Sequence, residues 1–358
     1  MSTSLSRFFD YISGERRGVG AVLVRGGLAA LSAPYWLGCA ARRAAYNSGF
    51  FLCRELDAKV ISIGNITTGG TGKTPLVIWV LRWLEQRGVP AAILSRGYGA
   101  RPADGQGESD EMLLLRRHVP SVPHLVGKDR FATGRQAIGE HGAECLVLDD
   151  GFQHLALGRD LDIVLIDSLM PFGYGHVLPR GLLREPLTAL RRADVVVLTR
   201  CDLCPRDRVR DIQRRIHDVA GLRPVVESAH RPTRFYAHAT GESRPLGWIK
   251  GRRAFAFSAL GNPTAFPRTL ESLGAEVVHH ELFRDHHWYD DAELAGIADA
   301  ANEAGADVVV TTEKDAVKIR SLPHGAPPIY VLAVEFTMTH GGELLTGALE
   351  QIVGDQVV

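Results

Sequence analysis

The sequence predicts an α/β protein with three parts. They are a parallel-sheet domain centred on a strand, glycine-rich loop and helix; a smaller second α/β/α domain; and an amino-terminal helical segment suited to a membrane surface. Three observations predict it. Lys59-Val-Ile-Ser-Ile63 runs into a glycine-rich turn, apolar strand-like runs recur behind it and end in polar residues, and the opening fifty residues are basic and Gly/Ala-rich. A length of 358 residues suits two domains with sizeable cores. With 45% hydrophobic residues the chain is not a disordered one. Lys+Arg and Asp+Glu are 41 each, and this neutral balance argues against a nucleic-acid partner. Five cysteines are too few and too odd in number for a disulfide framework.

The amino-terminal segment, residues 1–50, carries Arg7, Arg16, Arg17, Arg25, Arg42 and Arg43 against Asp10 and Glu15. Between Val19 and Ala41 Arg25 is the one charge. That stretch matches the ~20 residues of a bilayer span, but its Gly/Ala content, Pro34 and Arg25 argue against one. A secretory signal with small residues at Gly38-Cys39-Ala40 is a second reading, which would place a nucleotide-binding loop where ATP is absent. The favoured reading is an interfacial helix. Leu5, Phe8, Phe9, Ile12, Val19 and Leu23 fall near one helical face, and Tyr35, Trp36 and the arginines suit a headgroup layer. An amphipathic helix packed on the domain remains the structural alternative.

Gly64-Asn-Ile-Thr-Thr-Gly-Gly-Thr-Gly-Lys-Thr74 follows the first strand, and a helix is expected from Pro75 to about Arg87. Strand, glycine-rich loop and helix is the context of a P-loop. The backbone N–H groups of Thr68, Gly69, Gly70, Thr71 and Gly72 can wrap a polyphosphate at the positive end of the helix. Lys73 would reach the β/γ-phosphates of ATP, and the Thr74 hydroxyl would bind Mg²⁺. Thr67 stands where the strict motif asks for Gly, so the loop resembles the MinD-like variant within a P-loop NTPase-like domain.

Ala91–Leu94 reads as a strand leading to Ser95-Arg-Gly-Tyr-Gly99, and Glu144–Leu148 as one ending in Asp149-Asp150-Gly151. An apolar strand with an acidic pair at its carboxyl end can hold Mg²⁺ beside the P-loop. Asp162–Ile166 and Asp194–Leu198 continue the series as strands buried on both faces. Cys201-x-x-Cys204 lacks the second pair a zinc site needs. The chain is therefore divided into residues 1–50, a P-loop core at 51–228, a linker at 229–252 in which residues 230–250 could form two short strands, and a second α/β domain at 253–358. In the last, strands are expected at 254–257, 276–278, 308–310 and 329–332 and helices at 264–273 and 290–304. Two α/β layers with a flexible join suggest a cleft that opens and closes. Asp285-His-His287 could be a local metal pattern or structural, and Glu313-Lys-Asp315 reads as helix capping.

Taken together, several motifs resemble the tetraacyldisaccharide 4′-kinases of lipid A biosynthesis. They are Gly64-Asn-x-Thr-x-Gly-Gly-x-Gly-Lys-Thr-Pro75, Ser95-Arg-Gly-Tyr-Gly99, Asp149-Asp-Gly-x-Gln-His154, Leu178-Pro-x-Gly181 with Arg184-Glu185, Asp285-His286 and Thr312-Glu-Lys-Asp-Ala-Val-Lys318. The resemblance implies transfer of the ATP γ-phosphoryl group to the 4′-hydroxyl of an acylated glucosamine disaccharide 1-phosphate. The reaction would take place on the cytoplasmic face of the bacterial inner membrane, with membrane lipid as the surface and no protein partner. It implies Asp110 as base for the sugar hydroxyl, with Ser109 where the family has Gly, and His286 as the partner of that base. Glu185 would join Thr74, Asp149 and Asp150 on the Mg²⁺ side. Two other functions compete: a membrane-recruited MinD-like nucleotide switch, and a soluble carboxylate- or amine-activating P-loop enzyme of the dethiobiotin-synthetase kind.

Overall fold

The computed structural model describes residues 3–97, 109–319 and 328–354. Two compact units divide the chain: Tyr98–His118 with His230–Thr337, and Ser2–Gly97 with Val119–Ala229 and Met338–Val358.

The larger unit opens with helices α1 (Thr3–Ser13) and α2 (Val19–Asn47), followed by β1 (Lys59–Asn65), α3 (Lys73–Gln86), β2 (Ala91–Ser95) and β3 (His124–Val126). Helix α4 belongs to the other unit and is taken up below. Next come α5 (Arg130–His141), β4 (Cys145–Asp149), β5 (Leu161–Asp167), β6 (Val195–Thr199), α6 (Arg206–Ala220) and the first residues of β7 (Val225–Ala237). Each apolar run expected as a strand is one, β1, β2 and β5 one or two residues longer than expected and β4 and β6 shifted one residue toward the carboxyl end. Strand β1 is flanked by β4 on one side and β5 on the other, both parallel to it. Beyond them lie β2 and β3 on the β4 side, and β6 and β7 on the β5 side, again parallel. The direction of winding thus reverses at β1. Ligands of open α/β sheets bind at the carboxyl edge of such a switch point.

Two apolar layers sandwich this sheet, as the near-continuous strands require. Val164, Ile166, Val196 and Leu198 pack with α6 residues Val209, Ile212 and Ile216 on one face. Val60, Leu94, Leu146 and Leu148 pack with Ala137 of α5 on the other. Helix α3 starts at Lys73 rather than Pro75, because Gly72 takes a left-handed turn (φ 84°) that only glycine adopts freely. Pro75 then falls in the first turn, where its missing N–H costs nothing.

The amino-terminal apolar residues do not share one helical face. The chain breaks between α1 and α2, where Gly14 and Gly18 have positive φ. Ile12 is buried at 1% exposure, whereas Val19 and Leu23 are 77% and 69% exposed. Among the described residues no helix is long and apolar enough to cross a membrane.

The smaller unit contains α4 (Asp110–His118), the remainder of β7, β8 (Ser243–Arg244), β9 (Arg253–Ser258), α7 (Ala265–Ser272) and β10 (Glu276–Leu282). It continues with α8 (Asp291–Glu303), β11 (Val308–Thr312), the short α9 (Glu313–Ala316) and most of β12 (Ile329–His340); α10 (Gly342–Val353) returns to the larger unit. Its strands lie in the order β10-β9-β11-β12, parallel throughout. Period-two alternation divides them: Ala254, Ala256 and Val310 face Phe266 and Leu270 of α7, while Phe255, Phe257 and Val309 face Leu294 and Ile297 of α8. Residues 230–250 hold the two strands allowed for in that stretch, the end of one and the whole of another. Strand β7 continues to Ala237 because Phe235 and Tyr236 are buried at 0% and 3% exposure, and β8 pairs back on it antiparallel.

Gly64 is required by packing rather than by φ. A Cβ there would lie 2.6 Å from Phe152 Cβ and 2.8 Å from the Phe152 backbone nitrogen. Gly64→Ala is expected to destabilise the larger unit by about 1–3 kcal/mol, seen as a lower denaturant midpoint with an unchanged slope. A midpoint equal to wild type would show that this crossing yields.

Candidate active site

The glycine-rich loop is held from beneath by hydrogen bonds that leave its concave side to its own amides. Asn65, at the end of β1, donates from Nδ2 to Thr71 Oγ1 at 3.0 Å. Thr199, at the end of β6, donates to the Thr71 carbonyl at 2.8 Å, and Arg200 to the Gly70 carbonyl at 3.1 Å. The Thr68 N–H donates to the Leu182 carbonyl at 2.7 Å. Gly69 (φ 112°) and Gly72 adopt the backbone such a curl needs. No side chain caps the amino terminus of α3. Its first turn therefore presents N–H groups at the positive end of the helix dipole, with Thr74 buried in that turn. This arrangement fits a polyphosphate.

Asp149 ends β4 at the register position opposite Ile63, which places the acidic pair beside the loop. Asp149 is buried at 3% exposure. Asp150 takes the left-handed conformation (φ 58°), a strained state for a non-glycine residue. Its carboxylate pairs with Lys73 at 3.3 Å and Arg184 at 2.7 Å. Burial would push the Asp150 carboxyl up, but these two cations outweigh it and hold it at about 2. Glu185 is placed differently: Arg192 binds both of its oxygens, at 2.9 and 3.0 Å, and Gln153 donates to Oε1 at 3.2 Å. Among the described residues no group of three His, Cys, Asp or Glu side chains could hold a metal by itself. Mg²⁺ does not need one, since it is usually held by one or two carboxylates plus substrate phosphates. The hard oxygens of Thr74, Asp149 and Asp150 suit that donor set.

Helix α2 is built into the same region. Ser32 Oγ donates to the Val177 carbonyl and accepts from the Arg180 N–H, both at 3.0 Å. Tyr35 donates to the Arg184 carbonyl at 2.8 Å, and Arg42 to the Gln153 carbonyl at 3.0 Å.

The second constellation lies in the smaller unit. Ser109 caps α4, its hydroxyl accepting from the Met112 N–H at 3.2 Å, which gives this serine a task of its own. Asp110 opens the helix, 1% exposed in its side chain, and pairs with His286 Nδ1 at 2.8 Å through Oδ1. His286 sits in the loop before α8 with φ 63°, another strained non-glycine position. Lys314 Nζ lies 3.0 Å from Asp285 and 3.7 Å from Asp110 Oδ2. Burial would raise the Asp110 carboxyl, but the His286 hydrogen bond and the lysine ammoniums hold it at about 2. The same hydrogen bond raises the imidazole above its ordinary value against the opposing effect of burial.

The structure therefore brings together Asp110 and His286, 176 positions apart. It places them in one unit and Lys73, Thr74, Asp149 and Asp150 in the other. Tyr98 and Gly99, and the side chains of Leu5 and Arg7, lie outside the described residues. Sequence reasoning missed Arg192 and Arg200, which contact Glu185 and the candidate loop, and named Arg184 and Lys314 within motifs without giving them a role. The spacing of Lys314 and Lys318, one helical turn apart, was the available signal. Glu313-Lys-Asp315, read as helix capping, lies inside α9; the cap is Thr312, its hydroxyl accepting from the Asp315 N–H.

A parallel sheet wound from its central strand, a glycine-rich loop opening a helix with Lys-Thr, and a carboxylate pair on the adjacent strand define a P-loop protein. The tetraacyldisaccharide-1-P 4′-kinase (LpxK) family model matches residues 25–353. The chain belongs to that family. It is 42% identical to the tetraacyldisaccharide 4′-kinase of Anaeromyxobacter sp. (strain K) over 351 residues, 94% of this chain and 93% of the relative. It is 41% identical to that of Syntrophus aciditrophicus (strain SB), covering 84% and 86%. The crystal structure of LpxK from Aquifex aeolicus in complex with ATP superposes with a TM-score of 0.67 at 27% identity, covering 92% of this chain and 99% of that one.

The Asp110–His286 pair makes stability depend on pH in two windows. Asp110 titrates at about 2 when folded against an ordinary 3.8. Its contribution, on the order of 2 kcal/mol, is present above pH ~4 and lost as pH falls toward 2. The contribution of His286 is complete below its ordinary 6.5 and is lost as pH rises through its raised folded value. Asp110→Asn is expected to flatten both limbs in urea unfolding curves; slopes matching wild type would dismiss the coupling.

Proposed function

We propose that this chain performs its family's reaction, transfer of the ATP γ-phosphoryl group to the 4′-hydroxyl of a tetraacylated glucosamine disaccharide 1-phosphate, with the residues assigned above. The observation that carries this reading is the meeting of Lys73, the Asp149/Asp150 pair and an uncapped helix terminus at the switch point of the sheet. Phosphoryl transfer asks the protein for positioning and for neutralisation of charge rather than covalent chemistry. The amides of Gly69, Gly70 and Gly72, with Lys73, hold the triphosphate; the Thr68 and Thr71 amides, expected to share in this, donate instead to the Leu182 and Gly69 carbonyls. Thr74, Asp149 and Asp150 hold Mg²⁺, which when bound neutralises phosphate charge. Lys73 and Arg184, engaged by Asp150, are cations ready to exchange that carboxylate for phosphate oxygens. Glu185 keeps Arg192 and Gln153 in place.

In the smaller unit the Asp110–His286 pair receives the proton of the acceptor hydroxyl. The imidazole is the more accessible member, at 17% side-chain exposure against 1% for the carboxylate. Where the family resemblance implies Asp110 as the base and His286 as its partner, these exposures favour the imidazole as the group that meets the hydroxyl, with Asp110 fixing which ring nitrogen faces inward and stabilising the imidazolium. A nucleotide switch without an acceptor substrate would leave this buried pair without a task.

The chain is further proposed to rest on the cytoplasmic face of the inner membrane through α2. At about 1.5 Å per residue that helix is about 43 Å long. It exposes Val19, Val22, Leu23, Leu31, Trp36 and Leu37, and Phe50, Phe51 and Leu52 are exposed just beyond its end. Arg16, Arg17 and Arg42 are exposed beside them and suit anionic headgroups. An acyl chain gains about 0.8 kcal/mol per buried CH₂, so a four-chain substrate stays in the bilayer and the enzyme must go to it.

With Mg²⁺-ATP and a detergent-dispersed acylated disaccharide 1-phosphate, product mass should rise by one phosphate. Lys73→Ala should lower kcat by about 10²–10³-fold. Asp110→Asn should lower it by about 10²–10⁴-fold with little change in the KM for ATP. No mass gain with the wild-type protein would end the proposal. Because α2 is hydrogen-bonded to the Arg184 loop, its deletion would damage the site as well. The membrane reading is therefore tested by Leu23→Gln with Leu31→Gln, expected to weaken sedimentation with anionic vesicles and leave the KM for ATP unchanged. Undiminished vesicle binding would count against it.

A further inference from the structure

Lys318 is a lysine with no exposed side-chain surface, and nothing in the reaction as described above uses it. Its Nζ lies 2.8 Å from Asp315 Oδ1 and 3.7 Å from Asp110 Oδ2, and 5.7 Å from the centre of the Tyr289 ring. Asp315 is equally buried and is itself pinned. It accepts from the Ala259 N–H at 3.1 Å, the Tyr289 hydroxyl at 3.0 Å and the Thr312 hydroxyl at 2.6 Å. These donors come from three segments of the smaller unit: the end of β9, the loop before α8 and the end of β11. Asp315 is thereby a rigid mount, and the ammonium it holds is aimed at the oxygen of Asp110 that His286 does not use.

We propose that Lys318 is a positioning residue for the Asp110–His286 pair: mounted on Asp315, its buried ammonium holds Oδ2 of Asp110 so that Oδ1 is presented to the imidazole. The inference rests on the reading that this pair takes the proton of the acceptor hydroxyl. A buried ammonium must be paired, and while Oδ1 of Asp110 accepts from His286 and from the Glu111 N–H at 2.9 Å, its Oδ2 is buried with no hydrogen bond among the described residues and needs a cation close by. Charge balance points the same way. Asp110, Asp285 and Asp315 supply three carboxylates, and Lys314 and Lys318 two ammoniums, so the cluster is neutral when His286 carries its proton. The groups facing His286 are Asp110 from α4, Lys314 from α9 and Asp285 on its own loop. Facing Asp110 are His286, Lys314 and Lys318, with Glu111 beside it on α4.

Two substitutions move the charge of this cluster in opposite directions. Lys318→Met removes a positive charge, so the imidazole holds its proton to higher pH; Asp315→Asn removes a negative one, so it releases its proton at lower pH. The His286 titration is followed by NMR on the full-length protein, with kcat and the KM for ATP measured in parallel. Lys318→Met is expected to raise the His286 midpoint by about one pH unit and lower kcat by about 10²-fold, with the KM for ATP within about twofold of wild type. Asp315→Asn is expected to shift the midpoint downward. A merely structural role would lower activity in both variants without opposite shifts. An unmoved midpoint and wild-type kcat in Lys318→Met overturns the proposal. If that variant does not fold, an unmoved or upward midpoint in Asp315→Asn overturns it instead. Asp110→Asn separates the two levels. Wild-type turnover there topples the proton-acceptor reading itself, whereas an inactive Asp110→Asn beside an indifferent Lys318→Met topples only the role of Lys318.

Discussion

Lys73 and Arg184 close on Asp150 in one unit, and His286, Lys314 and Lys318 close on Asp110 in the other. In both places a carboxylate is kept ionised by cations supplied from distant parts of the chain; the Asp110 side chain is 1% exposed and that of Asp150 38%. An isolated buried charge costs far more than a fold of marginal stability can absorb. These side chains therefore persist as complete sets, and removing one member strands the others. The strained backbone at Asp150 and His286 fits this picture, since each conformation is held by the partners its side chain acquires.

The two sets differ in a way that suits their chemistry. The P-loop set surrounds a helix terminus and a ring of amides, with cations poised to exchange one anion for another, which is what a donor phosphate requires. The Asp110 set is a chain of ionic contacts running from Asp315 through Lys318 and Asp110 to an imidazole that retains some exposure, which suits the proposed task of orienting a proton acceptor. Helix α2 adds a third element. Its exposed apolar residues face away from the unit, while Tyr35 and Arg42 reach the carbonyls of Arg184 and Gln153. The helix with this exposed apolar surface and the loop that grips Asp150 are thus one hydrogen-bonded assembly.

Much of the candidate site was legible along the chain because its chemistry is local. A strand, a glycine-rich curl and a helix terminus are made by consecutive residues, so residues 59–86 announce their task by type and spacing. The acidic pair is legible for the same reason, as it ends an apolar strand. Less legible was Glu185, read as a metal-side carboxylate and found with both oxygens on Arg192, a partner seven residues on that no motif marks. The strands at 230–250 could be offered only as an alternative to a linker because the apolar residues are interrupted by Arg231, Pro232 and Arg234, and only burial of Phe235 and Tyr236 shows which face matters.

By itself the sequence determined the α/β class, the order of the strands along the chain, the phosphate-binding loop and the family resemblance, since each follows from periodicity or from contiguous motifs. Tertiary structure decided the rest: the position of β1 between β4 and β5, the break that separates α1 from α2, and the joining of Asp110 to His286, Lys314 and Lys318. The physical reason is range. Backbone preference and hydrophobic period act over a few residues, whereas pairing of buried charge acts through space and selects its partners only once the chain has folded.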